Sequence, residues 1–223
     1  MSDYYANTLS GKRLQKCYDI ATPCVQQYLK AEIEFVCNKI NPGDRVLELG
    51  CGYGRAMKYF LEKTDQVVGI DNSEENIRYA HEYLKDVSGW QIHCMNAIGL
   101  QFDDASFDVV VCIQNGLSAF HEDPVRIMSE ALRVIKKNGI ALFSTYSEKF
   151  WNERLQWFRD QAAHGLLGKI DEEKTGNGII VCKDGFTART FNKHDLSTLT
   201  KSLNVSASFY GVDGSSLFCE VKK

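Results

Sequence analysis

The chain has 223 residues, of which 44% are hydrophobic and 25% are charged, and its formal net charge is −3. This length and composition are typical of one globular domain with a sizeable core. The basic residues are scattered, so neither nucleic acid nor an acidic lipid surface is indicated as a partner. We expect a cytoplasmic monomer or homodimer, because neither a signal peptide nor an apolar run long enough to span a bilayer is visible.

The eight cysteines are spread along the chain, without a C-x-x-C pair and without a Cys/His cluster at metal-ligand spacing. This distribution predicts no metal site. Free cysteines in apolar segments pack as small hydrophobes in a reducing compartment, so we interpret most of them as structural. Only Cys51 lies beside a motif that suggests chemistry.

The elements follow one another in a simple order. Residues 1–40 predict helices that lie over a sheet, and they end at the turn signal Asn41-Pro42-Gly43. From Arg45 onward, short β-branched runs alternate with helical patterns. Five runs are too short and too continuously apolar for surface helices, and they predict buried parallel strands: 45–49, 66–70, 90–94, 107–113 and 139–145.

Two helices between these strands have recognisable start signals. Ser73 can cap a helix that carries Glu74 and Glu75 in its first turn. Asp123 is a natural N-cap before Pro124, and residues 136–139 are expected to close that second helix. Strand and helix alternation of this kind predicts a doubly wound α/β sheet with right-handed crossovers.

The chain after the fifth strand departs from this alternation. Residues 147–202 predict a helix that contains three large aromatic side chains, followed by a hairpin with its turn at residues 183–185. Residues 203–223 predict an antiparallel strand pair with a turn at Asp213-Gly214.

The segment RVLELGCGYGR, residues 45–55, places Glu48 near the end of the first strand, before glycines at positions 50, 52 and 54. Such a loop lets polar ligand groups approach backbone N–H groups closely. The dinucleotide fingerprint is G-x-G-x-x-G, but here Arg55 stands in place of its third glycine. A pyrophosphate would also be repelled by Glu48. The motif therefore favours a ligand that presents a cation or an amine.

S-adenosylmethionine is such a ligand, because it carries an ammonium group and a sulfonium centre and has no phosphate. The second strand ends in GIDNS, so Asp71 lies where a carboxylate can accept hydrogen bonds from both hydroxyls of a ribose. Either acid alone could be a solvated charge at the end of a strand. Their combination with the glycine loop favours the nucleoside cofactor.

Residues 45–146 resemble the class I S-adenosylmethionine-dependent methyltransferases of the small-molecule type. The motifs that carry the resemblance are, in chain order, VLELGCGYGR, GIDNS, CMNAIGLQFDDASFDVVV and EALRVIKKNGIALFS. The resemblance implies a Rossmann-like, mostly parallel, seven-stranded sheet with a C-terminal antiparallel hairpin. It also implies methyl transfer from S-adenosylmethionine to a small-molecule acceptor by in-line displacement, with S-adenosylhomocysteine as product. A non-catalytic cofactor-binding protein of this fold and a nicotinamide-dependent oxidoreductase are the alternatives.

The resemblance assigns cofactor contacts residue by residue. It implies that Glu48 contacts the methionine end, that Asp71 holds the ribose, and that Asn96 accepts from the adenine amine where the family usually has Asp. Arg13 and Tyr18 are expected to meet the methionine carboxylate. The expected cofactor contacts are Arg13, Tyr18, Glu48, Gly50, Cys51, Gly52, Tyr53, Asp71, Asn72, Asn96, Ala97 and Gln114.

The segment CIQNGLSAFHED, residues 112–123, occupies the place where cofactor and acceptor meet in this family. His121 is the candidate catalytic base, because histidine commonly accepts a proton near neutral pH. It could equally be a polar residue before the N-cap of a helix. The expected acceptor contacts are Tyr5, Asn115, Phe120, Tyr146 and Trp151, although aromatic residues here could also serve only for packing.

We therefore expect one methyltransferase domain with four parts. These are a helical lid at 1–40, a cofactor-binding core at 41–146, an acceptor-side insertion at 147–202 and a terminal strand pair at 203–223. The lid is expected to close over the cofactor and exclude water. Because the alternating strands begin at Arg45, deleting the lid is expected to leave a folded sheet.

Overall fold

A computed structural model of the chain describes Tyr4 and residues 8–223. Its main sheet contains β1 (Val46–Leu49), β2 (Val67–Asp71), β3 (Trp90–Cys94), β4 (Phe107–Cys112), β5 (Ile135–Tyr146), β8 (Ala207–Val212) and β9 (Ser216–Lys222). These seven strands are ordered β3-β2-β1-β4-β5-β9-β8. Strands β1 to β5 are mutually parallel, whereas β9 runs antiparallel to both β5 and β8. The predicted doubly wound sheet with a C-terminal antiparallel hairpin is confirmed.

The helices of the described part are α1 (Gly11–Asp19), α2 (Pro23–Cys37), α3 (Met57–Phe60), α4 (Glu74–Tyr83), α5 (Gly116–Ala119), α6 (Pro124–Val134), α7 (Trp151–Ala163) and α8 (Lys193–Ser202), with a short 3-10 turn at Glu148–Phe150. A separate hairpin is formed by β6 (Ile179–Val181) and β7 (Thr187–Arg189). The side chain of Ser73 caps α4 and that of Asp123 caps α6, as the sequence predicts.

Two elements differ from the sequence-based expectations. Residues 136–139, predicted to close α6, lie inside β5, because α6 ends at Val134 and Ile135 already pairs with Phe107. Helix α8 was not predicted at all, although Asn192 and Asp195 form a capping box at its start. That spacing is a recognisable start signal for a helix.

The two faces of the sheet are covered by different helices. One apolar cluster packs α6 and α8 against β1, β4 and β5, and a second packs α2 and α3 against the opposite face. A third cluster lies beyond the carboxyl ends of the parallel strands and joins α1, α2, α7 and the β6–β7 hairpin. The amino-terminal helices and the segment after β5 therefore form one continuous cap.

Within this cap, α1 and α2 have different roles. Helix α2 buries Ile33 and Val36 against the sheet and Tyr28 and Leu29 in the cap, so it belongs to the core. Helix α1 has only Gly11 and Cys17 buried among its own residues, and it lies over the glycine loop. The expected lid of residues 1–40 therefore combines a core helix with a covering helix.

This distinction predicts different outcomes for two truncations. Deletion of residues 1–40 removes α2, and because each buried large side chain contributes roughly 1.5–3 kcal/mol, we expect loss of cooperative folding. Deletion of residues 1–21 keeps α2 and its Thr22 cap and should leave a folded protein with a lower Tm. Circular dichroism during heating and gel filtration measure both outcomes. A soluble 41–223 chain with a cooperative transition near that of the full chain would contradict the assignment of α2 to the core. It would support the expectation that residues 1–40 form a lid that the sheet does not need for folding.

Candidate functional site

The glycine loop follows β1 directly and adopts a left-handed backbone. Gly50, Gly52 and Gly54 have φ angles of +73°, +55° and +84°, a region that L side chains rarely occupy. A Cβ on Gly54 would lie 2.7 Å from Leu84 Cδ1, so any larger residue there would require the Leu84 side chain to shift. The N–H groups of Gly50 and Cys51 both donate to the Ile70 carbonyl, 2.9 Å away, which fixes the loop to β2.

Asp71 holds the glycine loop from the end of β2. Its Oδ2 accepts from Gly52 N at 2.9 Å, and its Oδ1 accepts from Ser73 N at 2.9 Å and from Asn76 Nδ2 at 3.0 Å. Asn76 Oδ1 in turn accepts from Gly11 N at 2.7 Å, which ties α1 to the same group. The carboxylate predicted to hold a ribose therefore also organises the loop and its cover.

A cavity of about 140 Å³ lies between the glycine loop, α1, the loop after β4 and α7. It is smaller than the ~300–1,000 Å³ typical of small-molecule sites, so α1 closes tightly over it. Many of the predicted site residues line it: Tyr18, Glu48, Gly50, Cys51, Gly52, Tyr53, Asp71, Asn72, Gln114, Phe120 and Tyr146.

Three polar side-chain atoms of residues that line this cavity are buried without a hydrogen-bond partner in the described part of the chain. They are Glu48 Oε2, Arg55 Nη2 and Gln114 Nε2. When it is ionised, the Glu48 oxygen acts solely as an acceptor, whereas the Arg55 and Gln114 nitrogens act solely as donors. An amino-acid group, with an ammonium and a carboxylate, supplies the complementary partners, so this cavity fits the methionine end of the predicted cofactor.

The charge of Glu48 depends on such a partner. Burial raises the pKa of Glu48 to about 8; the nearby Arg55 guanidinium opposes this rise, and Asp71 adds to it. At neutral pH without a cationic ligand the carboxyl is therefore mostly protonated. An ammonium group placed against Glu48 would favour the ionised form and lower its pKa.

Arg55 also lines this cavity, although its sequence position indicates only that it stands where the dinucleotide fingerprint has its third glycine. It follows the glycine loop, and its guanidinium carbon lies 4.4 Å from the centre of the Tyr18 ring. This stacking orients the guanidinium against the cavity wall. A useful signal was its position directly after the third loop glycine, which places it at the same end of β1 as Glu48.

The backbone of Gln114 is held by Glu32 and Ser144, for which the sequence pattern predicts no role in the site. Its backbone has a φ of +55°, and its N–H donates to Glu32 Oε2 at 2.9 Å and to Ser144 Oγ at 2.7 Å. Glu32 is fully buried on α2, and burial raises its pKa to about 7. Tyr18 Oη donates to Gln114 Oε1 at 3.3 Å, and the amide nitrogen is buried without a partner in the described part of the chain.

Three predicted cofactor contacts do not line this cavity. The Arg13 guanidinium donates to the carbonyls of Thr8, Gly165 and Leu166, which fastens α1 to the loop after α7. Asn96 is exposed and its Nδ2 donates to Glu122, 3.1 Å away, while Ala97 is buried in the core cluster. The arginine that lines this cavity is therefore Arg55 and not Arg13.

The remaining predicted residues lie around or beyond the cavity. His121 is exposed in the loop after α5 and does not line the cavity. Asn115 is buried with both ends of its amide engaged, by the Arg189 carbonyl and by Thr145 Oγ1. Trp151 lines a second cavity together with Tyr146. Tyr5 lies outside the described residues.

Neither a metal-binding cluster nor a membrane-spanning helix is seen in the part of the chain that is described. No group of three His, Cys, Asp or Glu side chains is arranged to hold a metal ion in it. In the same residues, every helix is too short or too polar to cross a bilayer.

The comparison with protein families agrees with this geometry. Residues 46–139 match a family described as a methyltransferase domain, and this range contains the glycine loop, Asp71 and Gln114. One relative, the 2-methyl-6-phytyl-1,4-hydroquinone methyltransferase of Synechocystis sp., is 25% identical over 67% of this chain and 52% of its own length. Another, a ubiquinone biosynthesis O-methyltransferase of Idiomarina loihiensis, is 34% identical over 49% of this chain and 46% of its length.

Solved structures share the fold over most or all of the chain. A protein from Pyrococcus horikoshii aligns with a TM-score of 0.69 at 23% identity, covering 100% of this chain and 99% of that one. A methyltransferase from Methanosarcina mazei aligns with a TM-score of 0.63 at 22% identity, covering 85% and 96%. By contrast, this chain spans about half the length of the curated relatives named above.

Residues 46–139 therefore match a methyltransferase domain, and the chain shares the fold of a solved methyltransferase. The chain is similar to class I S-adenosylmethionine-dependent methyltransferases, and the comparisons support S-adenosylmethionine as its cofactor. The unpartnered atoms of Glu48, Arg55 and Gln114 are complementary in hydrogen bonding to the amino-acid end of S-adenosylmethionine.

The raised pKa of Glu48 predicts that cofactor binding releases a proton. With a pKa of about 8, Glu48 is roughly nine-tenths protonated at pH 7 in the free protein. An ammonium ligand ionises it, so binding should release about one proton, and affinity should rise between pH 6 and 8. Calorimetry of S-adenosylhomocysteine in buffers of different ionisation enthalpy measures the number of protons.

Glu48→Gln provides the control, because it removes the titrating group and should abolish the dependence on buffer. Retention of the full buffer dependence in this variant would assign the proton to Glu32 or another group. Equal binding enthalpies in all buffers for the unmodified protein would contradict the prediction itself.

Proposed function

We propose that this chain transfers a methyl group from S-adenosylmethionine to a small-molecule acceptor. The observation that carries the proposal is that three residues lining one cavity beside the glycine loop each have a buried polar atom without a partner in the described chain: Glu48 Oε2, Arg55 Nη2 and Gln114 Nε2. Leaving such groups buried and unpaired costs about 1–3 kcal/mol each, more when they are charged. A folded protein tolerates this where a ligand supplies the missing partners.

When bound, S-adenosylmethionine supplies a methyl group that its sulfonium has already activated. The task of the protein is then alignment and exclusion of water rather than acid or base chemistry. Glu48, Arg55 and Gln114 would fix the amino-acid end, and Asp71 would hold the ribose. Tyr18 and Phe120 line the same cavity and would keep water from the reacting centre.

The ribose role of Asp71 must be reconciled with its present contacts. Its oxygens already accept from Gly52 N and from Asn76 Nδ2, so ribose hydroxyls would share or replace these hydrogen bonds. Because Asn76 also holds the first residue of α1, ribose binding and the position of α1 would be coupled. The small cavity volume supports this coupling, since α1 must move outward before a nucleoside can enter.

A catalytic base is required only for acceptors that are weak nucleophiles. His121 is exposed and directly follows Phe120, which lines the cavity, so it remains our candidate for that role. Asn96 likewise remains our proposed contact to the adenine amine. This contact would require the loop after β3, which carries Asn96, to turn toward the cavity.

The relatives support a small-molecule acceptor. Their names refer to a hydroquinone, to ubiquinone biosynthesis and, in a third relative, to 27-O-demethylrifamycin SV. The fold by itself does not decide the reaction, because a [4+2]-cyclase also aligns with it at a TM-score of 0.64 and 16% identity. A test must therefore measure both binding and turnover.

The direct test is calorimetric binding of S-adenosylmethionine and S-adenosylhomocysteine, followed by turnover with a panel of phenols, thiols, amines and carboxylic acids. We expect both ligands to bind and at least one acceptor class to be methylated. Binding without turnover on any acceptor would favour the non-catalytic alternative. No binding of either ligand, or tight binding of a nicotinamide cofactor instead, would overturn the proposal.

The role of Arg55 can be isolated by a ligand that lacks the amino-acid end. Arg55→Met should weaken S-adenosylhomocysteine binding by about tenfold to a hundredfold, because a charged hydrogen bond to the carboxylate is lost. The same variant should bind 5′-methylthioadenosine with unchanged affinity, since that nucleoside has no carboxylate. Equal losses for both ligands would instead indicate a general disturbance of the glycine loop, and no loss for either would remove Arg55 from the site.

A further inference from the structure

A second, larger cavity lies on the other side of Tyr146. It has a volume of about 730 Å³, and it is bounded by the end of β5, the start of α7, the β6–β7 hairpin and the start of α8. This volume is in the range of sites that bury small molecules. Tyr146 lines both cavities, so the two spaces adjoin at this residue.

A hydrogen-bond network holds the second cavity in a fixed position relative to the first. Thr145 Oγ1 donates to Asn115 Oδ1 at 3.0 Å and accepts from Phe191 N at 3.1 Å. Asn115 Nδ2 donates to the carbonyl of Arg189 at 2.8 Å, and Arg189 N donates to Ser118 Oγ at 2.9 Å. The loop after β4 is thereby joined to the wall that contains Arg189. A molecule in the second cavity would thus keep a constant place beside the cofactor.

Two arginines line the second cavity, and Arg189 is the one that can present donor groups to a ligand. Arg154 is fully buried, and its guanidinium donates to the carbonyls of Gly178 at 3.1 Å and Ala188 at 3.0 Å and to Thr190 Oγ1. Arg189 is half exposed, and its Nη2 lies 3.2 Å from Asp195 Oδ2. That same oxygen accepts from Asn192 N at 3.1 Å as part of the α8 cap, so Asp195 divides its charge between two donors. A planar guanidinium on the wall is suited to a carboxylate or another anionic oxygen.

The aromatic wall of the cavity is the partly buried Trp151. It stands at the first position of α7, and the Arg154 guanidinium carbon lies 5.7 Å from its ring centre and 4.6 Å from that of Tyr146. Tyr146 is itself stacked on Tyr28 at 5.0 Å, so its ring is fixed between neighbours. Trp151 is therefore the side chain that can offer a flat surface to a bound ring.

We propose that the second cavity is the acceptor site and that it takes a planar aromatic or heteroaromatic ring bearing an anionic oxygen group. The ring lies against Trp151, and its anionic oxygen meets the Arg189 guanidinium. Tyr146 forms the boundary toward the cofactor cavity. The proposal rests on the proposed methyltransferase function, because it assigns the acceptor of that same reaction.

The test uses three small probes that differ in one property at a time: benzoate, benzamide and cyclohexanecarboxylate. Their binding to the full chain is measured by NMR titration with S-adenosylhomocysteine present. Benzoate should bind at least about fivefold more tightly than benzamide, which lacks the charge, and than cyclohexanecarboxylate, which lacks the planar ring. Equal affinity for all three probes, or no detectable benzoate binding, would overturn the proposal.

Variants locate the probe. Arg189→Gln should remove the preference for benzoate over benzamide, and Trp151→Ala should remove the preference for the planar ring, whereas Trp151→Phe should retain it. Arg159→Gln is the matched control: it also breaks a surface ion pair, that of Arg159 with Glu172 at 2.7 Å, and Arg159 does not line this cavity. The control should bind benzoate normally. An equal loss in Arg159→Gln, or no loss in either site variant, would contradict the assignment.

The affinity for S-adenosylhomocysteine is recorded on the same samples. Failure of this ligand to bind the unmodified chain would reject the proposed function and the acceptor site together. Normal binding of S-adenosylhomocysteine without any preference among the three probes would reject the acceptor site alone.

Discussion

The burial of the Glu48 carboxyl beside the glycine loop is the constraint on which the site depends. The residue lies on a fully buried strand, and one of its oxygens has no partner within the described chain. Burial of a carboxylate without compensation is unfavourable, so it raises the pKa of Glu48 to about 8 and favours the protonated form at neutral pH. Arg55 and Gln114 add unpaired donors to the same cavity. Together the three groups form an incomplete set of hydrogen bonds, which the amino-acid end of S-adenosylmethionine would complete.

The rest of the molecule closes this cavity and forms the second cavity beside it. Asp71 links the glycine loop to Asn76, and Asn76 links it to the first turn of α1. Trp157 donates from its indole nitrogen to the Cys17 carbonyl at 2.9 Å, so α7 also holds α1 in place. The amino-terminal cover and the segment after β5 are thus parts of one structure. Because Tyr146 lines both cavities, the closure of the first and the shape of the second are set by the same cap.

Much of the sheet could be predicted from the sequence, because continuous β-branched runs and capped helices are local signals. The glycine loop, Glu48 and Asp71 could be recognised for the same reason, since each stands at the end of a predicted strand. The sequence alone could not exclude Arg13 from the cofactor cavity or assign Arg55 to it, because the direction of a long side chain depends on its partners. Arg13, for example, donates to the carbonyl of Gly165, 152 residues away in the chain. Glu32 and Asn76 sit in ordinary helical sequence, and only the tertiary fold brings them to the site. The second cavity likewise depends on the packing of α7 against a hairpin, which no local pattern describes.

The most direct test of this account is the titration of Glu48 itself, observed as the side-chain carboxyl carbon signal in a ¹³C-glutamate-labelled protein and assigned with Glu48→Gln. The account predicts a midpoint near the pKa of about 8 in the free protein. With S-adenosylhomocysteine bound, the signal should remain that of an ionised carboxylate across pH 6 to 8. The same midpoint with and without the ligand would contradict the claim that Glu48 meets the cofactor's ammonium group.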